Sequence, residues 1–176
     1  SDGETLADSF TATSADGSTI VVNITITGAD DAAVLGGDTS AAVTEDGTLT
    51  DSGTLTIADV DDGEDVFTTQ SGAASTSGYG TVDLDAAGNW TYTLDNANAT
   101  VQALSQGETL ADSFTATSAD GSTIVVNITI TGADDAPVIG GDDAGAVSED
   151  GTLSDTGALT ISDTDDGEDV FATQTG

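Results

Sequence analysis

Residues Ser18–Thr27 read STIVVNITIT. Ile20, Val22, Ile24 and Ile26 fall on one parity, and Val21, Asn23, Thr25 and Thr27 on the other. Period-two alternation in β-branched residues marks a strand with one face buried. Thr5–Thr13 (TLADSFTAT) places Leu6, Phe10 and Ala12 on one parity, with Asp8 interrupting that face. Ala15-Asp16-Gly17 between the two strands is a hairpin turn signal.

The same hairpin occurs twice. Gly3–Ala32 is repeated letter for letter as Gly107–Ala136, an offset of 104 residues. At that offset 33–72 maps onto 137–176 with conservative changes: Leu35 becomes Ile139, Thr44 becomes Ser148 and Val60 becomes Thr164. A period near 100 residues suits one small domain per repeat and is too long for a solenoid rung. The expected organisation is the last strands of a preceding repeat over 1–30, one complete repeat over 31–134, and the first strands of a following repeat over 135–176.

Within the complete repeat the pattern predicts strands around Val43, over Thr54–Ala58, Val66–Gln70, Gly80–Asp85, Asn89–Leu94, Thr109–Thr117 and Ser122–Thr131. A helical turn is expected within Asn96–Leu104. Val82 and Leu84, then Trp90, Tyr92 and Leu94, should face inward. Seven short antiparallel strands in about 100 residues predict an all-β fold, an immunoglobulin-like β-sandwich repeated in tandem.

Charge narrows the function. The chain has no Lys, Arg or His, and 33 Asp plus Glu, for a formal charge of −33. Such a surface repels nucleic acid and anionic membrane, so neither is expected as a partner. No apolar run reaches the roughly 18 residues of a membrane span. Cysteine is absent, which removes disulfides, zinc–thiolate sites and cysteine nucleophiles. Without His, Lys, Arg or Cys there is no Ser-His-Asp triad, Schiff base or phosphate clamp, and the chain does not read as an enzyme. A carboxylate pair for glycoside hydrolysis has one formal candidate, Asp83 with Asp85, which also reads as ordinary solvent-facing strand residues.

The carboxylates cluster. Asp59, Asp61, Asp62, Glu64 and Asp65 fall in seven residues around Gly63, and the pattern recurs at Asp163, Asp165, Asp166, Glu168 and Asp169. With no basic side chain to pair with them, a cation is the remaining partner; a solvated acidic loop is the alternative. Calcium takes six to eight oxygen ligands at about 2.3–2.6 Å, whereas magnesium keeps more water, so Ca2+ is the expected ion. No EF-hand loop is present. If strands alternate up and down, the loops sort to two poles. Asp30-Asp31, the Asp59–Asp65 loop, the Asp85–Asn89 turn and Asp120 then share the top. The Glu45-Asp46 turn shares the bottom with Asp134-Asp135, and the Asp163–Asp169 loop faces that linker. Ligands drawn from two repeats and a linker would fix the orientation of neighbouring repeats, which are the expected partners.

Several motifs occur in family order: E-D-G-T-L, T-I-x-D-x-D-D-G-E-D-x-F, G-x-W-T-Y-T-L-D-N, V-Q-A-L-x-x-G-E-T-L-x-D-S-F, D-G-S-T and I-T-I-T-G-x-x-D-A-P-V. Together they resemble the VCBS-type bacterial immunoglobulin-like repeats of RTX adhesins, as found in extender regions such as that of a giant ice-binding adhesin. The resemblance implies type I secretion, calcium-dependent folding at the cell surface, and a stalk that holds a distal ligand-binding domain away from the bacterium. It places interdomain calcium ligands on Asp30, Asp31, Asp59, Asp61, Asp62 and Glu64, and again on Asp134, Asp135, Asp163, Asp165, Asp166 and Glu168. One departure is Asp30-Asp31-Ala32-Ala33, where the family linker ends in proline; losing that proline should make the joint depend more on its ion. Competing readings are a subunit of an extracellular filament, and a repeat that itself binds ice or glycan through outward threonines such as Thr25 and Thr27.

Overall fold

The computed structural model describes residues 3–61 and 63–174. The chain is an immunoglobulin-type sandwich flanked by two partial copies of itself. Strands β1 (Thr5–Thr13) and β2 (Thr19–Thr27) form the first hairpin. The central unit runs through β3 (Val34–Gly37), β4 (Ser40–Thr44), β5 (Thr50–Ala58), β6 (Gln70–Ala74), β7 (Gly80–Leu84), β8 (Asn89–Leu94), α1 (Ala99–Gln102), β9 (Thr109–Thr117) and β10 (Thr123–Thr131). Strands β11 (Val138–Gly141) and β12 (Leu159–Ser162) follow. One sheet has the order β3-β5-β8-β7-β6 and the other β4-β10-β9.

The expected inward faces are buried. Val82, Leu84, Trp90, Tyr92 and Leu94 are at most 4% exposed. Trp90 meets Phe114 edge-on across the two sheets, with ring centroids 5.8 Å apart, an arrangement that aromatic quadrupoles favour. Val126, Ile128 and Ile130 of β10 complete the core. The identical β2 shows the dependence of burial on context: Ile24 and Ile26 are 40% and 48% exposed, against 2% and 0% for Ile128 and Ile130. Alternation makes the strand two-faced; only an opposing sheet buries one face.

Three departures from the sequence pattern have physical causes. The edge strand β3 was not expected, because Val34-Leu-Gly-Gly37 has no alternation. Gly37, at φ 100°, turns the chain out of the five-stranded sheet; β4 then pairs in parallel with β10, Ala41 opposite Ile128 and Thr44 opposite Thr131. The expected strand at Val66–Gln70 is displaced to β6. Phe67 N–H donates to Ala86 O (3.1 Å) and Thr68 N–H to Thr117 O (2.8 Å), so this segment bridges the two sheets instead of joining a ladder. Asp8, which interrupts its apolar face, corresponds to Asp112, and Asp112 is 5% exposed inside the sandwich. Its carboxylate accepts from the Tyr92 hydroxyl (3.0 Å), the Ser77 and Ser113 amides (2.9 and 2.8 Å) and the Ser75 hydroxyl. Burial pushes this carboxyl's pKa up, but the four donors outweigh burial and leave it below the usual value. The expected helical turn is α1, capped by Asn98, whose side chain accepts from Thr100 N–H at 2.9 Å.

Candidate metal centre

Parallel pairing of β4 with β10 carries both strands to the same pole. There Glu45 N–H donates to Thr131 O (3.0 Å), which fixes Glu45 beside the outgoing linker. The neighbouring Asp46, at φ 49°, is held by Asn96: its amide donates to Asn96 Oδ1 (2.9 Å), and Asn96 Nδ2 donates back to its carboxylate (2.6 Å). From the following repeat, Asp163 Oδ1 accepts from Asp165 N–H at 3.1 Å. This turn aims Asp165 at the linker, where Asp165 Oδ2 accepts from Asp135 N–H at 2.7 Å. The same loop touches the central unit again, as Asp166 N–H donates to Ala103 O at 3.1 Å.

These contacts gather Glu45, Asp135 and Asp165, with one carboxylate oxygen of each within 4.8 Å of the others. Asp134, Asp165 and Glu168 form a second such group, so Asp165 belongs to both. Glu45 is 0% and Asp165 3% exposed. Three carboxylate oxygens here are buried without a hydrogen-bond donor: Glu45 Oε2, Asp163 Oδ2 and Asp165 Oδ1. Burial, then the charges of Asp46, Asp135 and Asp165, push the Glu45 carboxyl up to about 7. Burial likewise raises Asp135, reinforced by Asp46, Asp165 and Asp163. An all-oxygen donor set with unpartnered buried oxygens and no basic neighbour fits a hard divalent cation, whose ligands would come from the Glu45 turn, the linker and the Asp163–Asp169 loop.

The upper junction repeats half of this construction. Asp59 Oδ1 accepts from Asp61 N–H (2.9 Å), and Asp61 Oδ2 accepts from Asp31 N–H (2.8 Å). Asp59 Oδ2 is buried without a partner. Asp30, Asp61 and Glu64 form the acidic group. Burial raises the Glu64 carboxyl, with Asp30, Asp61 and Asp59 adding to the effect.

The fifteen carboxylates singled out in the sequence divide as follows. Asp30, Asp61, Glu64, Asp134, Asp135, Asp165 and Glu168 lie in the acidic groups. Asp59 and Asp163 brace the loops from beside them, and Asp31 contributes its amide. Asp65, Asp166 and Asp169 are exposed and outside the groups; Asp62 lies outside the described residues. Asp120 is at the expected pole, but its oxygens accept from Ser122 N–H and Oγ, Ser118 Oγ and the Ala33 amide. Those bonds, Ala33 foremost, lower its pKa. It anchors the incoming linker and stands apart from the acidic groups. The bond from Ala33, 2.9 Å long, is one that proline could not donate, so Ala33 supplies its own tether at this linker. Glu45 was absent from the sequence-derived set; the placing of the Glu45-Asp46 turn at the pole of Asp134-Asp135 was the signal that pointed to it.

Asp83 and Asp85 are engaged locally. Asp83 accepts from Gly72 N–H (3.0 Å), and Asp85 closes the turn to Asn89, whose side chain and amide hold the Asp85 carboxyl below its ordinary range. A general acid needs the opposite shift.

A β-sandwich repeat with acidic loops gathered at both linkers defines a class of tandem immunoglobulin-like module. The chain belongs to the bacterial cadherin-like domain family, whose model matches residues 30–132. No curated protein matches it. Among solved structures it is similar to one described as "PcdhgB3 EC1-4 in 50 mM HEPES", at 15% identity and a TM-score of 0.45. That match covers 92% of this chain and 48% of the other, so the chain spans about half of its length. Among the described residues, no helix is long and apolar enough to cross a membrane.

Proposed function

We propose that this chain is a calcium-stabilised spacer of a bacterial surface adhesin, of the VCBS and RTX type, in which each 104-residue repeat is a bead and calcium at each junction fastens it to the next. The observation that carries this reading is the meeting of Glu45, Asp135 and Asp165, with three buried carboxylate oxygens left without donors. Calcium bound there would supply the missing positive charge and join two repeats through their own side chains. Glu45, Asp135, Asp163 and Asp165 would hold one ion, and Asp134, Asp165 and Glu168 a neighbouring one. The repeat boundary falls at the two linkers, near residues 31 and 134. Neighbouring repeats are the partners, the compartment is outside the cell, and the role is mechanical, not enzymatic. Near-identity of the copies favours length over recognition, since a spacer needs the same bead many times.

Thermal melting with calcium and with chelator tests it. Calcium at about 1,000 times its dissociation constant adds about 4 kcal/mol per site, a rise of about 15–30 °C for a domain of this size. Superimposable melts would remove the metal from the account.

A further inference from the structure

The sheet β4-β10-β9 has two outer edges, closed in different ways. Along β9, the outward carbonyls of Ser113, Thr115 and Thr117 are taken in turn by Thr76 N–H, the Gln70 side-chain amide and Thr68 N–H, each at 2.8 Å. Chain from the β6 side of the sandwich thus covers that edge. Among the described residues, no strand lies beyond β4. In the other sheet, edge strand β3 is only four residues long and β6 is interrupted by an irregularity between Gln70 and Ala73, both of which blunt an edge.

Pairing with β10 fixes which main-chain groups of β4 point outward. Thr39 O accepts from Asn127 N–H, and Glu45 N–H donates to Thr131 O, both at 3.0 Å. In a parallel ladder a residue's N–H and C=O turn to the same neighbour, and the side alternates along the strand. Odd-numbered residues therefore bond β10, and even-numbered ones face out. Thr44 N–H is used in its own turn, on Thr48 O at 2.8 Å. Ala42 N–H, in the middle of the strand, goes to Asp51 Oδ2 of β5 at 2.8 Å. The other oxygen, Asp51 Oδ1, accepts from Ser52 N–H at 2.8 Å and holds the carboxylate in place. The cap recurs 104 residues on, where Asp155 accepts from Ala146 N–H at 2.7 Å and from Thr156 N–H at 2.9 Å.

An open edge on β4 is a particular hazard in this chain. The sequence of its partner β10 is present twice, letter for letter, as β2 and β10, so every copy of the chain carries strands already matched to β4. Tandem repeats hold such strands at high local concentration, and misassembly between repeats is a characteristic failure of repeat proteins. We infer that Asp51 bars a strand of the β10 sequence, from another copy of this chain, from adding to the outer edge of β4. Its carboxylate occupies the mid-strand amide that the incoming strand needs. To add, that strand must displace the carboxylate or bury it, and the chain has no Lys, Arg or His to neutralise it. Asp51 thus acts on partner choice, keeping identical copies apart. The inference uses no metal and stands apart from the calcium reading.

The test is self-association of the intact chain, measured by sedimentation equilibrium for the parent, for Asp51→Ala, and for Asp51→Ala combined with Ala42→Pro. Asp51→Ala should associate at least tenfold more tightly than the parent. Its Ala42 amide, followed by hydrogen-exchange NMR, should be open in the dilute chain and become protected as concentration rises. Proline removes that N–H and is tolerated on an edge strand where the N–H faces outward, so the double variant should return to the parent's level. A partly unfolded Asp51→Ala would not behave this way, because a second substitution would increase its association. Association of Asp51→Ala equal to the parent's, an Ala42 amide that stays open on association, or association that survives Ala42→Pro would overturn the proposal.

Discussion

The main-chain N–H of Asp135, in the linker, donates to the Asp165 carboxylate of the following repeat over 2.7 Å. Asp31 and Asp61 repeat the contact over 2.8 Å at the other junction. One oxygen of Asp165 is thus committed to orienting the linker. The other is buried without a donor, next to Glu45. The bond that sets the linker against this loop therefore leaves beside Glu45 the unmet need that the proposed cation would fill.

Glu45 should govern that need in both directions. In chelator, Glu45→Gln removes a buried like charge and should raise the melting temperature. In calcium it removes a ligand and should weaken binding about tenfold, roughly 1.4 kcal/mol. The two effects oppose, so the variant should narrow the calcium-dependent gap in Tm from both sides. Differential scanning calorimetry in the two buffers measures it. An equal drop in both buffers would make Glu45 merely structural.

The calcium-free chain should also respond to pH with a definite sign. The Glu45 pKa is raised in the fold to about 7 from an ordinary 4.5. The folded state therefore binds the proton more readily. That contribution is fully present below about pH 4.5 and is lost as pH rises through about 7. Raised Glu64 and Asp135 act in the same direction. Asp85, Asp112, Asp120 and Asp155 are lowered, so their contribution holds above the usual carboxylate value near 3.8 and fades as pH falls through their depressed folded values. In chelator, Tm should rise from pH 8 to pH 5 and fall again under stronger acid. A flat profile between pH 8 and pH 5 would contradict it.

Asp112 and Asp8 provide an internal control, since they occupy the same position of identical hairpins. Asp112→Ala strands the buried Tyr92 and Ser75 hydroxyls, takes an acceptor from the Ser77 and Ser113 amides nearer the surface, and should cost about 2–4 kcal/mol. Asp8 is exposed and accepts from the next residue's amide, Ser9; Asp8→Ala should stay within about 0.5 kcal/mol. Tyr92→Phe removes one donor and should cost about 1 kcal/mol. Urea unfolding of the three variants separates these values.

Trp90→Ala should cost about 3–5 kcal/mol, because it empties a socket bounded by Gly53 and Phe114 and leaves Asp38 O without its donor. Chemical denaturation followed by far-ultraviolet circular dichroism measures it. A loss below 1 kcal/mol would mean that the sheets repack around the gap.

Much of this was legible in the chain. Alternation in Ser18–Thr27 and Asn89–Leu94 marked the strands and their buried faces, because a strand's period is a property of the backbone. Sorting turns by pole brought Asp30-Asp31 to the Asp59–Asp65 loop and Asp134-Asp135 to the Asp163–Asp169 loop. Tertiary decisions were harder to read. Val66–Gln70 has a strand's composition, but its amides go to two different sheets. Asp8 read as a break in an apolar face, and only the arrival of Tyr92 and Ser75 from the opposing sheet makes its copy Asp112 a core residue. Glu45 joins the junction through a parallel pairing, Thr44 opposite Thr131, that no local pattern encodes.

X-ray scattering of the intact chain, with calcium and then with chelator, tests the fastening of repeats most directly, with Asp165→Asn alongside. The account predicts a longer, stiffer particle with calcium, a shorter and more variable one in chelator, and a variant that stays in the second state at calcium levels that saturate the parent. Identical scattering in both buffers would contradict it.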